Sequence, residues 1–383
     1  MVFDPTPIKL NQFVYWDHPY QHPQLGIEVG REFFDRCAER DQALQVLTSP
    51  TDRRAVVILA ERRMGKTSLL RHLVERLKAL PDLVPVQLPS GGSLHSAVDL
   101  FNEICDHMSA TLGLEQDGLL EEVDGLELAD QLCVLEQLCN SLAGETVVLC
   151  LDELDACLEH QETPAPERGK ILGLVNALVS RDDLPIRLLC TMIRLPMSVT
   201  AAEMNPFLER AAPIRLTPFA RPEMDEMLTE LAQAHLNLRL SSEDLDSLYC
   251  QSGGWPFFAK VALVCLGEAE PGPGRLTRAL EAAARHVAVS EAMEHIFRNY
   301  FDRNEKALVI ALGQRGGVTG MHVEQIEHLG AELAIAARRL AARDFLQIDA
   351  NGRYTFRIGL LAAWFRQWSK LEEMAQIYHI DGS

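Results

Sequence analysis

The segment from Ala55 to Leu77 constrains this chain more than any other. An apolar run, Ala55-Val56-Val57-Ile58-Leu59, leads into the spacing A-x-x-x-x-G-K-T from Ala60 to Thr67, and Leu69, Leu70, Leu73, Val74 and Leu77 then recur at helical spacing. Strand, loop and helix in that order form the setting of a phosphate-binding P-loop. Loop N–H groups and the positive end of the helix dipole converge on one anion. The candidate phosphate contacts are Ala60, Arg62, Arg63, Met64, Gly65, Lys66, Thr67 and Ser68. Lys66 is placed to neutralise β/γ oxygens, and the Thr67 hydroxyl to ligate Mg²⁺. Ala60 stands where such loops commonly begin with Gly, leaving less room for a strained backbone. Glu61 is expected to point away from the phosphates.

A second motif supplies the partners this chemistry needs. Thr146-Val147-Val148-Leu149-Cys150-Leu151 is short and apolar enough for a buried parallel strand, and it ends in Asp152-Glu153-Leu154-Asp155. A carboxylate at such a strand tip can hold the Mg²⁺ shell, the role expected of Asp152. Its neighbour Glu153 fits the base that orients and deprotonates an attacking water. Asp155 reads as an exposed turn residue.

Further strands are expected at about 84–88 and 186–191, alternating with helices, so the chain predicts a parallel α/β sheet covered on both faces. The strand tips gather Ala60–Thr67, Asp152–Glu153 and Thr191 at one edge, where ligands bind in such sheets. Residues 1–23, rich in Pro, His and aromatics, read as an arm, and 24–217 as the P-loop NTPase domain. Residues 218–270 read as helices interrupted at Gly253-Gly254-Trp255-Pro256, and Pro271-Gly272-Pro273-Gly274 closes a linker. In 271–383, helices at about 303–314, 320–328 and 331–343 precede two runs joined across Asn351-Gly352, a strong hairpin signal. Three helices and a hairpin make a winged helix-turn-helix.

Charge bears on partners. The net charge is −19, yet from Pro271 onward 14 Lys and Arg face 13 Asp and Glu. The acidic excess therefore lies in the first 270 residues and repels a nucleic-acid backbone. The third winged-region helix opens Ala331-Glu332-Leu333-Ala334, with no side chain suited to reading a base edge. DNA contact is thus possible but not favoured, and would need Arg343, Arg353 and Arg357 to form one basic face. The nine cysteines are scattered without a C-x-x-C pair, and no apolar run is long enough for a membrane span. A cytoplasmic protein with reduced thiols is expected.

Val29-Gly30-Arg31-Glu32, Arg62-Arg63-Met64-Gly65-Lys66-Thr67-Ser68-Leu69-Leu70, the Asp152-Glu153 strand end, Gly253-Gly254-Trp255-Pro256 and a C-terminal winged helix, taken together, resemble the STAND and archaeal-ATPase branch of the AAA+ superfamily. The resemblance implies ATP/ADP and Mg²⁺ as cofactors, a helical lid over residues 218–270, and ATP hydrolysis. It places Val29 and Arg31 by the adenine and brings Pro256 towards the base. Thr191 resembles a polar sensor beside the γ-phosphate. Arg210, with Arg194 as rival, resembles an arginine finger offered to a neighbouring subunit. The implied function is a molecular switch whose nucleotide state controls assembly with itself or a protein partner, in signalling or defence. The alternative is a DNA-acting ATPase of origin or transposition type.

Overall fold

The computed structural model describes residues 34, 36–114, 126–142, 144–159, 163–193, 201–314, 320–367 and 374. Val29, Arg31, Arg194 and the expected arm over 1–23 lie outside the described residues. The described chain falls into two compact units, divided between Leu216 and Thr217.

The first unit runs α1 (Cys37–Thr48), β1 (Ala55–Leu59), α2 (Lys66–Lys78), β2 (Leu83–Gln87), α3 (Ala97–Leu112), α4 (Leu128–Cys139), β3 (Thr146–Leu151), α5 (Leu154–Glu159), α6 (Ala165–Ser180), β4 (Ile186–Met192), α7 (Ala201–Glu209) and β5 (Ala211–Arg215). The five strands are parallel in the order β2-β3-β4-β1-β5. Composition explains which strands are central. β1, β3 and β4 are nearly unbroken apolar runs buried on both faces. Pro85 and Pro213, which cannot donate to a ladder, sit in the two edge strands β2 and β5.

Arg187 is the polar intruder in β4, and it has a structural task. It is buried, and its guanidinium donates to the carbonyls of Val46 (3.0 Å), Asp52 (2.5 Å) and Ser49. Val46 and Ser49 lie at the end of α1, so one side chain fastens that helix to the sheet. The order of strands sets β4 between β1 and β3, which brings Thr191 between the loop after β1 and the turn after β3.

The second unit contains α8 (Arg221–Leu236), α9 (Ser242–Ser252), α10 (Pro256–Glu268), α11 (Arg275–Arg285), α12 (Val287–Tyr300), α13 (Arg303–Gln314), β6 (Met321–His322), α14 (Val323–Leu329), α15 (Ala331–Ala342), β7 (Leu346–Ile348), β8 (Arg353–Phe356) and α16 (Gly359–Gln367). Helices α11 and α12 add to the elements read from sequence. α13, α14 and α15 with the antiparallel sheet β6-β8-β7 have the winged helix-turn-helix arrangement, and β7 and β8 pair across Asn351-Gly352 as expected.

Gly253-Gly254-Trp255-Pro256 joins the helices of this unit to its winged region. A Cβ on Gly254, whose φ is +84°, would lie 2.6 Å from the Phe219 carbonyl, and one on Gly253 would lie 2.7 Å from that of Arg357. Trp255 is fully buried, with ring centroids 5.2 Å from Phe345 and 5.8 Å from Phe258. Pro256 opens α10 at its first turn and is buried.

Arg343, Arg353 and Arg357 do not form the basic face that DNA contact would need of them. Arg343 pairs with the buried Glu305 at 3.0 Å, Arg357 with Asp344 at 3.1 Å, and Arg353 donates to His322 at 3.1 Å. Guanidiniums held this way satisfy neighbours within the unit. The exposed arginines of α15 are Arg338 and Arg339, and Arg339 also pairs with Asp302 at 3.0 Å.

Candidate nucleotide-binding site

β1 ends at Leu59, and the loop reaches α2 through two left-handed residues, Arg63 (φ 68°) and Gly65 (φ 91°). A non-glycine residue in that region is strained, so this turn is held by its surroundings. Met64 and Ala60 are buried beneath the loop. Lys66 begins α2 with its side chain folded back, and Nζ donates to the carbonyls of Ala60 (2.9 Å) and Glu61 (3.2 Å). Burial pushes the Lys66 pKa down, while the carboxylates of Asp155, Asp152, Glu153 and Glu61 act in the opposite direction.

The tips of β3 and β4 close the other side. Thr67 Oγ1 donates to Asp152 Oδ2 at 2.7 Å, and Thr191 Oγ1 donates to Asp152 Oδ1. The same Thr191 oxygen accepts the Glu153 N–H at 2.9 Å. Asp152 thus lies between two hydroxyls, one from each flanking segment. Thr67 and Asp152 offer adjoining hard oxygen donors, the set that Mg²⁺ requires. The chemistry of these groups fits the ion expected from the sequence.

Glu153 has φ 56°, in the left-handed region. Its carboxylate accepts from Arg62 at 3.3 Å and from Ser90 Oγ at 3.2 Å. The backbone behind it is packed tightly. Gly91 N donates to the Asp152 carbonyl at 2.8 Å, and a Cβ on Gly91 would lie 2.1 Å from the Glu153 carbonyl oxygen. Glycine is needed for that close approach.

Asp155 corrects the sequence reading. It is buried rather than an exposed turn residue, because α5 begins at Leu154 and carries it under the sheet edge. Its Oδ2 accepts the Ile193 N–H at 3.0 Å, and burial raises its pKa to about 6.

Ser90, Gly91 and Asp155 were not assigned to the site from sequence. Pro89-Ser90-Gly91-Gly92 follows β2 at the strand-tip edge, and that breaker cluster was the available signal for the first two. For Asp155 the signal was ambiguous, since an acid after D-E suits a solvated turn equally well. Arg210 occupies the opposite edge of the sheet. It is exposed, and its carbonyl accepts from Ala55 N at the start of β1. The length of β1 puts about 17 Å between it and its own loop. Pro256 belongs to the other unit.

No protein-family model matches this sequence, and no curated protein matches it. Among solved structures, the chain is similar to the Walker-type ATPase Paby2304 of Pyrococcus abyssi. The TM-score is 0.60 at 18% identity, covering 87% of this chain and 96% of that one. It is also similar to the ORC2 protein of Aeropyrum pernix, in ADPNP–ADP complexes, with TM-score 0.54 at 13% identity and coverage of 90% and 93%. The fold is that of an AAA+ P-loop NTPase with a C-terminal winged helix.

Proposed function

We propose that this protein binds Mg-ATP at the Ala60–Ser68 loop and hydrolyses it. The observation that carries the reading is the chain of contacts Thr67–Asp152–Thr191–Glu153 at the tips of β1, β3 and β4, beside a buried lysine. Loop N–H groups and Lys66 bind the phosphates. Thr67 and Asp152 would hold Mg²⁺, which supplies charge neutralisation on the transferring phosphoryl group. Glu153 takes the proton of the attacking water. Thr191 fixes the backbone of Glu153 and the orientation of Asp152 together.

In this reading Arg62 and Ser90 orient Glu153, one on each carboxylate oxygen, and each oxygen keeps a second lone pair that can accept the proton. Arg210, exposed and remote from its own loop, suits a role at a second subunit's site, as the resemblance implied. Val29 and Arg31 remain candidates for the adenine end of the nucleotide.

Phosphate release from Mg-ATP tests the reading, with nucleotide affinity measured in parallel. Lys66→Ala is expected to lose binding. Glu153→Gln is expected to keep Mg-ATP binding and to lose turnover by about 10²- to 10⁴-fold. Turnover in the parent protein no higher than in Lys66→Ala would end the ATPase reading.

For the output, likeness to an ORC2 protein and the winged-helix arrangement support a DNA-acting ATPase over a signalling or defence switch. Arg343, Arg353 and Arg357 are held in internal contacts, so the phosphate contacts of this reading are the exposed Arg338 and, on release of its surface pair with Asp302, Arg339. Duplex-DNA affinity measured against salt should show a negative slope, reduced by about one for each arginine removed. Affinity independent of salt and of both arginines would return the output to protein assembly. Nucleotide-dependent self-assembly, read by light scattering, is compatible with either output.

A further inference from the structure

Asp152-Glu153-Leu154-Asp155 contains three carboxylates, and the ATPase reading uses two. The third is built into the site in a different way. β3 ends its pairing with β4 at Leu151↔Cys190, and β1 ends at Leu59↔Met192, so Ile193 lies one residue beyond the ladder. Ile193 is buried, and an orphan N–H there would have neither sheet nor water as partner. Asp155 Oδ2 accepts it at 3.0 Å from the first turn of α5.

This contact sits two residues from Thr191, whose single oxygen serves both Asp152 and Glu153 N. The end of β4 is therefore fastened to the Asp152–Asp155 segment at two points. One is the threonine hydroxyl and the other is the Asp155 carboxylate. We infer that Asp155 is a positioning residue: by holding the Ile193 amide it keeps Thr191 in register with Asp152 and Glu153. The inference rests on the ATPase reading for its kinetic consequence, though the tether itself does not depend on it. The remaining oxygen, Oδ1, is buried without a hydrogen-bond partner among the described residues, and the Lys66 ammonium acts on this carboxylate as an opposite charge. A role in balancing Lys66 is thus the competing explanation, and it makes a different prediction.

Asparagine separates the two, because its amide oxygen can accept the Ile193 N–H while the charge is gone. The full chain is compared as wild type, Asp155→Asn and Asp155→Ala. Readouts are kcat and KM for Mg-ATP, Mg-ADP affinity, and amide exchange of the segment 186–193. The expected result for Asp155→Ala is kcat lower by about tenfold or more, with KM and ADP affinity within about twofold. Exchange at Ile193 rises by about tenfold, and Asp155→Asn restores both to within about threefold of wild type. Asparagine as impaired as alanine would overturn the proposal in favour of charge, as would a change in KM and ADP affinity alone. Unchanged exchange in Asp155→Ala removes the tether. Wild-type turnover no higher than that of Lys66→Ala removes the ATPase reading and the positioning role with it, whatever exchange shows.

Discussion

Thr191 Oγ1 accepts the backbone N–H of Glu153 at 2.9 Å across 38 residues of sequence, while donating to Asp152. One hydroxyl uses its donor and an acceptor position on two adjacent residues to which the proposed reaction gives different roles. The Asp152 carboxylate and the Glu153 backbone therefore cannot move independently while this oxygen is in place.

Thr191→Val keeps the shape of the side chain and removes that oxygen. It leaves the Glu153 N–H unpaired and Asp152 one donor short, a loss of about 1–3 kcal/mol. The expected outcome is kcat lower by about 10- to 100-fold with Mg-ATP affinity little changed. Steady-state kinetics beside equilibrium binding checks it, and kcat within twofold of wild type refutes it.

Gly91→Ala places a methyl group 2.1 Å from the Glu153 carbonyl oxygen and 2.9 Å from Cys157 Sγ. The nearer neighbour is backbone, so the backbone must give. Overpacking of this kind costs about 1–3 kcal/mol. Urea unfolding should show a lower midpoint at constant slope, accompanied by slower hydrolysis. A variant with wild-type midpoint and turnover would show that the approach is looser than described.

Asp155 makes stability depend on pH in a definite direction. Its folded-state pKa of about 6 exceeds the ordinary value of 3.8 because of burial. The folded state then binds the proton more tightly than the unfolded chain. Stability from this group is complete below about pH 3.8 and is lost as pH rises to about 6, by about 3 kcal/mol. Asp155→Asn abolishes this contribution, so its advantage over wild type should grow between about pH 4 and 7. Unfolding midpoints across that range test it, and parallel curves for the two proteins would count against it.

Arg343 and Arg338 lie on one stretch of chain but are expected to behave oppositely. Arg343 neutralises Glu305, which is 3% exposed, and lies over the rings of Phe301 and Phe345. Arg343→Ala strands a buried carboxylate and should destabilise by about 3–5 kcal/mol. Arg338 is exposed, and Arg338→Ala should stay within about 0.5 kcal/mol of wild type. Thermal unfolding of both variants distinguishes them, and equal effects would mean that the Arg343–Glu305 pair does not hold this unit together.

Much of the architecture is legible along the chain because it is encoded over a few residues. Unbroken apolar runs mark β1, β3 and β4 as central strands, and prolines at 85 and 213 are compatible only with the edges. Spacing places Lys66 and Thr67 at the start of α2, and Asn351-Gly352 turns the wing. These features follow from torsional preference and from the period of side chains along a strand or helix. The sequence by itself therefore determined the strand–loop–helix order, the glycine-lysine-threonine loop and the acidic strand tip.

Partner choice was decided by the tertiary structure. Strand order put Thr191 between Asp152 and Glu153, and the start of α5 turned Asp155 inward to meet Ile193. The approach of the β2 tip brought Ser90 and Gly91 onto Glu153, 63 residues from Ser90. Within the second unit, packing enlisted Arg343, Arg353 and Arg357 in internal contacts, away from the basic face that DNA contact would have needed of them. A polar side chain specifies which bonds it can make, but not which buried group will need them. That need arises only when packing removes water from both.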